Sequence, residues 1–267
     1  GNPSMTTDLI TEIRDNGAYV TFNRPEVRNA ISRDMLRQLA DFLRTIEANN
    51  SVRYLVFRGT GGHFSAGGDA GGFQDSLALS AAERGGEYER RLIGNSEAIL
   101  LLSRANIPVI TVTQGAVAGA GLLFTLIADF CLATEDSFFV FAHAKLGLPL
   151  DLGLSYYLPR VVGFRAAKSL TLLSSRLDAQ TAQNIGLVSQ VISPSLLEDE
   201  LTKLTQKLST GSTSAFRQTK RLLNQSWGND LATQLICESE AVGAAAAHDD
   251  FVEGVQAFLD HRIPVFK

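Results

Sequence analysis

The chain has 267 residues, 45% of them hydrophobic and 19% charged, with a formal net charge of −4. Its length allows one large domain or a core with an appendage, and the composition is ordinary for a soluble globular protein. The acidic balance argues against a nucleic-acid partner, which requires a dense cationic face. Gly1–Ser4, ahead of Met5, read as a cloning remnant and are set aside.

Residues 9–14 and 18–22 alternate like two strands around Asp15-Asn16-Gly17, a hairpin signal. Asn23-Arg24-Pro25 stops the second strand. Ser32 is placed to N-cap a helix over 35–49, where Met35, Leu36, Leu39, Phe42, Leu43 and Ile46 recur at helical spacing. Residues 54–58 form the next strand. It runs into Gly59-Thr60-Gly61-Gly62-His63-Phe64-Ser65-Ala66-Gly67-Gly68-Asp69, rich in glycine. A helix follows over 84–104. Val109, Ile110 and Val112 form a buried strand, leading to Gly115, Gly119 and Gly121 and then to 122–128, apolar on nearly every side. Strands are expected at 130–134, 137–142 and 188–192. Helices are expected at 152–158 (ended by Pro159), 165–173 and 179–185, the last with Gly186 at C′. Beyond Pro194 only helices are read: 196–208, 214–225, 230–247 and 249–261. The change near residue 195 divides an α/β core, 5–195, from a helical segment, 196–267.

Cys131 and Cys237 lie in apolar runs and read as buried thiols of a reducing compartment. No apolar stretch reaches the roughly 18 residues that span a bilayer. Without a basic-then-apolar leader the default location is cytoplasmic. No metal-ligand spacing recurs, and no Gly-x-Ser-x-Gly elbow is present.

Two glycine-rich turns each follow a strand, yet neither fits a phosphate-loop or dinucleotide template. A turn that enters a helix leaves backbone N–H groups unpaired at its positive end. Two such turns can offer one N–H apiece to a single oxygen, which is the geometry of an oxyanion hole. The alternative for the second turn is a tightly packed strand–helix corner.

Asn23-Arg24-Pro25 with Asn29-Ala30, Phe64-Ser65-Ala66-Gly67-Gly68-Asp69, and Ile107-Pro108-Val109-Ile110 leading to Gly115 and Gly119-Ala120-Gly121 together resemble the crotonase (enoyl-CoA hydratase/isomerase) superfamily. Leu158-Pro159-Arg160-Val161-Val162-Gly163, Gly186-Leu187-Val188 and the tail around Asp250-Phe251 and Glu253-Gly254 continue the match across residues 9 to 266. The resemblance implies an α/β fold, a spiral of ββα units with a C-terminal helical segment that packs homotrimers or dimers of trimers. It implies an acyl-CoA thioester as ligand and no cofactor, coenzyme A entering with the substrate. The family's oxyanion N–H groups are carried over to Ala66 and Ala120. CoA is expected along residues 23–30 and 63–69, where Arg28, Ala30, Ser65, Gly68 and Asp69 are the candidate contacts. Asp69 is equally suited to bracing the turn.

Two-glutamate hydratases of this family carry acids where this chain has Leu123 and, in the second pattern, the run Ala142-His143-Ala144-Lys145-Leu146-Gly147. Leucine transfers no proton, so hydration by a carboxylate pair is disfavoured. Leu146-Gly147-Leu148-Pro149-Leu150-Asp151-Leu152-Gly153 instead is similar to the segment of isomerase-type members in which an acid moves a proton along the acyl chain. Leu152 and Leu154 stand where small residues are usual and would narrow the acyl pocket. Leu123 and Leu152 are expected substrate contacts, and an apolar wall raises a carboxylate's pKa toward general-base range. Asp151 is either that base or the N-cap of the following helix. His143 orients Asp151, acts as acid–base itself, or lines the pocket. The expectation is enoyl-CoA double-bond isomerisation. The alternatives are a hydratase, hydrolase or retro-Claisen lyase using His143, and a CoA-binding member without catalysis.

Overall fold

The protein is seen in a computed structural model that describes residues 7–267. Gly1–Ser4 lie outside them. β1 (Leu9–Arg14) and β2 (Gly17–Phe22) pair antiparallel across a two-residue loop, with Arg14 opposite Gly17. Gly17 therefore belongs to the strand. A Cβ there would sit 2.4 Å from the Tyr54 ring, which only glycine avoids. α1 (Arg33–Glu47) begins at Ser32, whose Oγ accepts from Met35 N, and buries Met35, Leu36, Leu39, Leu43 and Ile46 along one face.

β3 (Tyr54–Gly59) runs parallel to β2. After it come α2 (Ala70–Ser76) and α3 (Ala81–Ser103). The seven-residue α2 was not expected from the sequence: its Ala-Gly-Gly start carries no helical period, and Asp69 capping Gly71 N starts it instead. β4 (Val109–Thr113), β5 (Ala116–Ala118) and α4 (Ala120–Ile127) form one ββα unit. β6 (Phe130–Thr134), β7 (Phe138–Val140) and α5 (Leu154–Val162) form the next. α6 (Phe164–Leu172), β8 (Arg176–Asp178), α7 (Ala179–Asn184) and β9 (Gln190–Ile192) complete the α/β part. The tail is α8 (Leu197–Thr210), α9 (Thr213–Gln225), α10 (Leu231–Ala246) and α11 (Asp249–Leu259).

Six strands make one sheet in the order β1-β2-β3-β4-β6-β9, parallel beyond β2. β5-β7-β8 make a second, smaller sheet. The two strands of each ββα unit thus go to different sheets, and the expected spiral is present. β3 shows how the sheet is packed. Leu55 and Phe57 join the core that contains α1, α3 and α4, whereas Tyr54 and Val56 face Leu197, Leu201 and Leu208 of α8. Both faces are covered, as a parallel sheet requires. α9 is tied to the core by Lys220, whose Nζ donates to Asp129 Oδ2 at 2.7 Å and to the Ile107 carbonyl at 2.9 Å.

A further helix differs from expectation. α5 starts at Leu154 rather than 152, is entered through Gly153 at φ 85°, and continues through Pro159 to Val162. Proline inside a short helix costs one hydrogen bond. Buried Leu154 and Leu158 and the packing of α5 on α4 and α6 hold it helical. Cys131 is buried, as read, but Cys237 on α10 is only half-buried.

Candidate active site

Phe22, Phe57, Phe64 and Phe124, all fully buried, make a cluster with ring centroids 4.9–5.3 Å apart in successive contact. Phe64 belongs to the turn after β3 and Phe124 to the first turns of α4. Burying each ring stabilises the fold by roughly 1.5–3 kcal/mol, and the cluster fixes the two glycine-rich turns on one support.

Above it the two turns meet backbone to backbone. A Cβ on Gly119 would lie 2.8 Å from Gly67 Cα and 3.6 Å from Gly68 N, and one on Gly121 would lie 2.6 Å from the Ser65 carbonyl oxygen. A Ser65–Val117 bridge and the Ala118 N–H donating to Ser65 O at 2.9 Å stitch them together. Gly119 has φ 52° and ψ −122°, conformational space open to glycine. Ala120 is the first residue of α4, so its N–H has no intrahelical acceptor.

The donor expected at Ala66 is corrected. Its N–H is spent on the Arg28 carbonyl at 2.9 Å, and Gly67 N donates to Ser65 Oγ at 3.3 Å. Among the described residues nothing accepts from Gly68 N, and it is this amide that sits beside Gly119. Gly68 and Ala120 are therefore unpaired donors, one on each of the facing turns. Sequence placed Ala66 in the right loop but could not show which of three consecutive N–H groups the neighbouring loop would consume.

Ser65, expected to touch substrate, is also corrected: it is completely buried, with Oγ donating to the Asn29 carbonyl at 2.8 Å. Ala30 is buried, and its carbonyl accepts from Arg24 Nη1. Asp69 braces the turn, capping α2 and pairing with Arg24 at 3.6 Å. Arg28 is exposed on the edge with φ 51°.

The residue that the sequence reading missed is Asn29. It is completely buried at φ 57°. Its Oδ1 accepts from Arg24 N, and its Nδ2 donates to the Thr60 and His63 carbonyls, each bond 2.8 Å long. The side chain locks the 60–69 loop to the 24–30 edge. His63 accepts the Ala116 N–H on Nδ1 at 2.9 Å and binds the first turn to the second.

Asp151 does not cap α5. The cap position is Gly153 with no side-chain bond, and the Asp151 carboxylate lies 3.2 Å from His143 Nε2 instead. An ionised carboxylate only accepts, so Nε2 carries the proton and Nδ1 is left as a lone pair. That Nδ1 is buried and has no partner among the described residues. The His143 carbonyl accepts from Leu146 N and Leu148 N, which fixes the residue at the head of a tight turn. Leu152 follows Asp151 at φ 54°, an outlier for a bulky side chain, and backbone strain of this kind gathers at functional positions. Leu123 is buried one turn into α4, and α4 packs on α5, the helix that follows the Asp151 segment. Leu152 and Leu150 pack on the same core. Concavities of about 820 and 360 Å³ lie elsewhere and contain none of these residues.

Residues 12–267 match the family model described as enoyl-CoA hydratase/isomerase. The 1,2-epoxyphenylacetyl-CoA isomerase of Escherichia coli (strain K12) is 33% identical over 98% of this chain and 99% of its own length. The crotonyl-CoA hydratase of Syntrophomonas wolfei is 30% identical over 96% of each chain. The solved structure of an enoyl-CoA hydratase/isomerase from Marinobacter aquaeolei superposes with a TM-score of 0.88 at 30% identity, covering 97% of this chain and 98% of that one. The match in sequence, the spiral of ββα units and the paired glycine turns agree: this chain belongs to the enoyl-CoA hydratase/isomerase family of the crotonase superfamily.

Proposed function

We propose that the protein isomerises the double bond of an enoyl-CoA, with Asp151 as the acid–base group. The observation that carries this reading is the Asp151 carboxylate, turned away from the helix it precedes and held on one oxygen by His143. The thioester carbonyl accepts from Gly68 N–H and Ala120 N–H, and negative charge developing on that oxygen is stabilised by about 2.7–4 kcal/mol per donor. Asp151 takes a proton from C2 of a 3-enoyl chain, leaving a dienolate whose charge rests on the thioester oxygen. The same carboxyl group returns the proton to C4, and the double bond has moved into conjugation. His143 holds the carboxylate in one orientation throughout. The reverse shift uses the same groups in the opposite order. No cofactor is called for, because the coenzyme is part of the substrate.

Leu123 supports this reading over hydration by two carboxylates, since it offers no proton at the first of the two acid positions. A second reading draws on the unpaired His143 Nδ1, which takes a proton from a water whose oxygen adds to C3 of a 2-enoyl chain, the proton then being delivered to C2. The relatives include proteins named isomerase and proteins named hydratase. The test is Asp151→Asn assayed on 3-enoyl-CoA and 2-enoyl-CoA by chromatography. Loss of isomerisation by a factor of at least about 10² is expected, and isomerase activity surviving that change would refute the assignment. Hydration abolished by His143→Gln but not by Asp151→Asn would favour the second reading.

The helical tail exposes Leu231, Ile236, Val252, Phe258, Leu259 and Ile263, each more than half accessible. Apolar surface on this scale supports packing against further copies of the chain as a homotrimer or a pair of trimers. Among the described residues no helix is long and apolar enough to cross a membrane. A cytoplasmic acyl-CoA enzyme is the corresponding proposal for location.

A further inference from the structure

A cavity of about 360 Å³ lies where the residues leading into β3, the start of α9, the start of α11 and the end of the chain converge. Its wall includes Arg53, Arg217, Lys267, His248, Thr213 and Asp250. It is remote from the proposed catalytic turns: Arg53 enters β3, whereas the Gly68 turn leaves it. Six strand residues at about 3.3 Å each put roughly 20 Å between them.

Arg53, Arg217 and Lys267 make no ion pair with a carboxylate among the described residues. Arg53 donates once, from Nη1 to the Ser209 carbonyl at 2.9 Å. Arg217 Nε and Thr213 Oγ1 are both sealed from solvent without a partner. A buried guanidinium N–H left unpaired is costly, and such orphans call for an unseen acceptor. The single carboxylate, Asp250, is already engaged: its Oδ2 accepts from Ser212 Oγ at 2.7 Å. His248 accepts the Asp250 N–H on Nδ1 at 3.0 Å, which leaves Nε2 as the protonated, donating nitrogen. The cationic groups of Arg53, Arg217 and Lys267 outnumber the anionic ones in the wall, so the cavity favours an anion.

We propose that this cavity binds a phosphate group, free or as a monoester, through Arg217, Arg53 and Lys267 with Thr213 and His248 as neutral donors. The site does not depend on the acyl-CoA chemistry assigned above. The anion would join the α/β core, through Arg53, to α9 and α11, so its binding would slow amide exchange at the starts of both helices.

The test is calorimetric titration of the whole protein with sodium phosphate, against sodium chloride at equal ionic strength, together with thermal melts. Saturable phosphate binding and a melting temperature above the chloride control are expected. Ribose 5-phosphate in a parallel titration separates the sources: tighter binding than phosphate assigns the site to esters, and equal or weaker binding assigns it to the free ion. Arg217→Gln should weaken binding about tenfold or more, as loss of a charge-assisted donor does. Lys267→Gln, which changes an exposed side chain, should weaken it several-fold. Arg28→Gln, on the opposite edge, should leave it unchanged. Retained acyl-CoA turnover shows that each cavity variant is folded. Phosphate indistinguishable from chloride, or wild-type affinity in both Arg217→Gln and Lys267→Gln, would overturn the proposal.

Discussion

Asn29→Ala tests whether one buried amide builds the oxyanion turn. The substitution removes three side-chain hydrogen bonds and leaves the Arg24 N–H and the Thr60 and His63 carbonyls without their partner. At about 1 kcal/mol net for each, that is about 3 kcal/mol. Alanine at φ 57° adds about 1 kcal/mol, because a Cβ without a local polar contact is disfavoured in left-handed backbone. The sum, about 4 kcal/mol, is a large part of the 5–15 kcal/mol typical of a folded domain. For a chain of this size it lowers the melting temperature by about 8–16 °C. Asn29→Gly keeps the polar loss and removes the backbone strain, so it should melt a few degrees above Asn29→Ala. Scanning calorimetry gives both values. Chromatographic rates on 3-enoyl-CoA should fall in both variants, with kcat affected more than KM, because Gly68 loses its fixed direction. An Asn29→Ala protein that melts within 2 °C of wild type and keeps its kcat would refute this account of the turn.

Gly119→Ala places a Cβ 2.8 Å from Gly67 Cα and in disallowed backbone. It should lower kcat by about 10²-fold or more, the worth of one misplaced donor, with circular dichroism showing the fold retained. A kcat within threefold of wild type would mean that Ala120 N–H does not reach the reacting oxygen. Glu253 is held near pKa 2 by the Arg262 guanidinium and by the Val265 N–H. A carboxylate depressed in the folded state contributes stability above its unfolded pKa, about 4.3, and loses it as pH falls toward 2. Protection from hydrogen exchange across residues 260–267, taken relative to the intrinsic rate at each pH, should therefore fall between about pH 4.5 and 2 in wild type. It should be low and flat over that range in Glu253→Gln, and equal protection profiles would refute the clamp.

Much of this molecule could be read from residue order because local signals and tertiary packing agree. Ser32 followed by a helical stripe becomes α1, and Asp15-Asn16 between alternating runs becomes the β1–β2 hairpin. Reading failed where a non-local partner decides. The N–H groups of Ala66, Gly67 and Gly68 look alike in sequence, and only the approach of the Arg28 carbonyl and Ser65 Oγ separates the free one from the others. Asp151 stood in front of a helical run like a cap. Two left-handed residues, Leu152 and Gly153, turn the chain so that the carboxylate meets His143, eight positions back. Asn29 carried no motif of its own chemistry, because its bonds reach residues more than thirty positions away. Three-residue strands such as β5 and β8 are too short to show a period and exist through their pairing with β7.

In the proposed reaction the grip on the thioester oxygen is made from main-chain amides, which no side-chain replacement can delete directly. On that reading, inheritance of the scaffold passes on enolate stabilisation as a fixed capability. What varies freely is the equipment facing the carbon chain, here Asp151, His143, Leu123 and Leu152. Diversification of this lineage into distinct reactions needs only a few exchanges along that wall, and redesign of this protein should begin there.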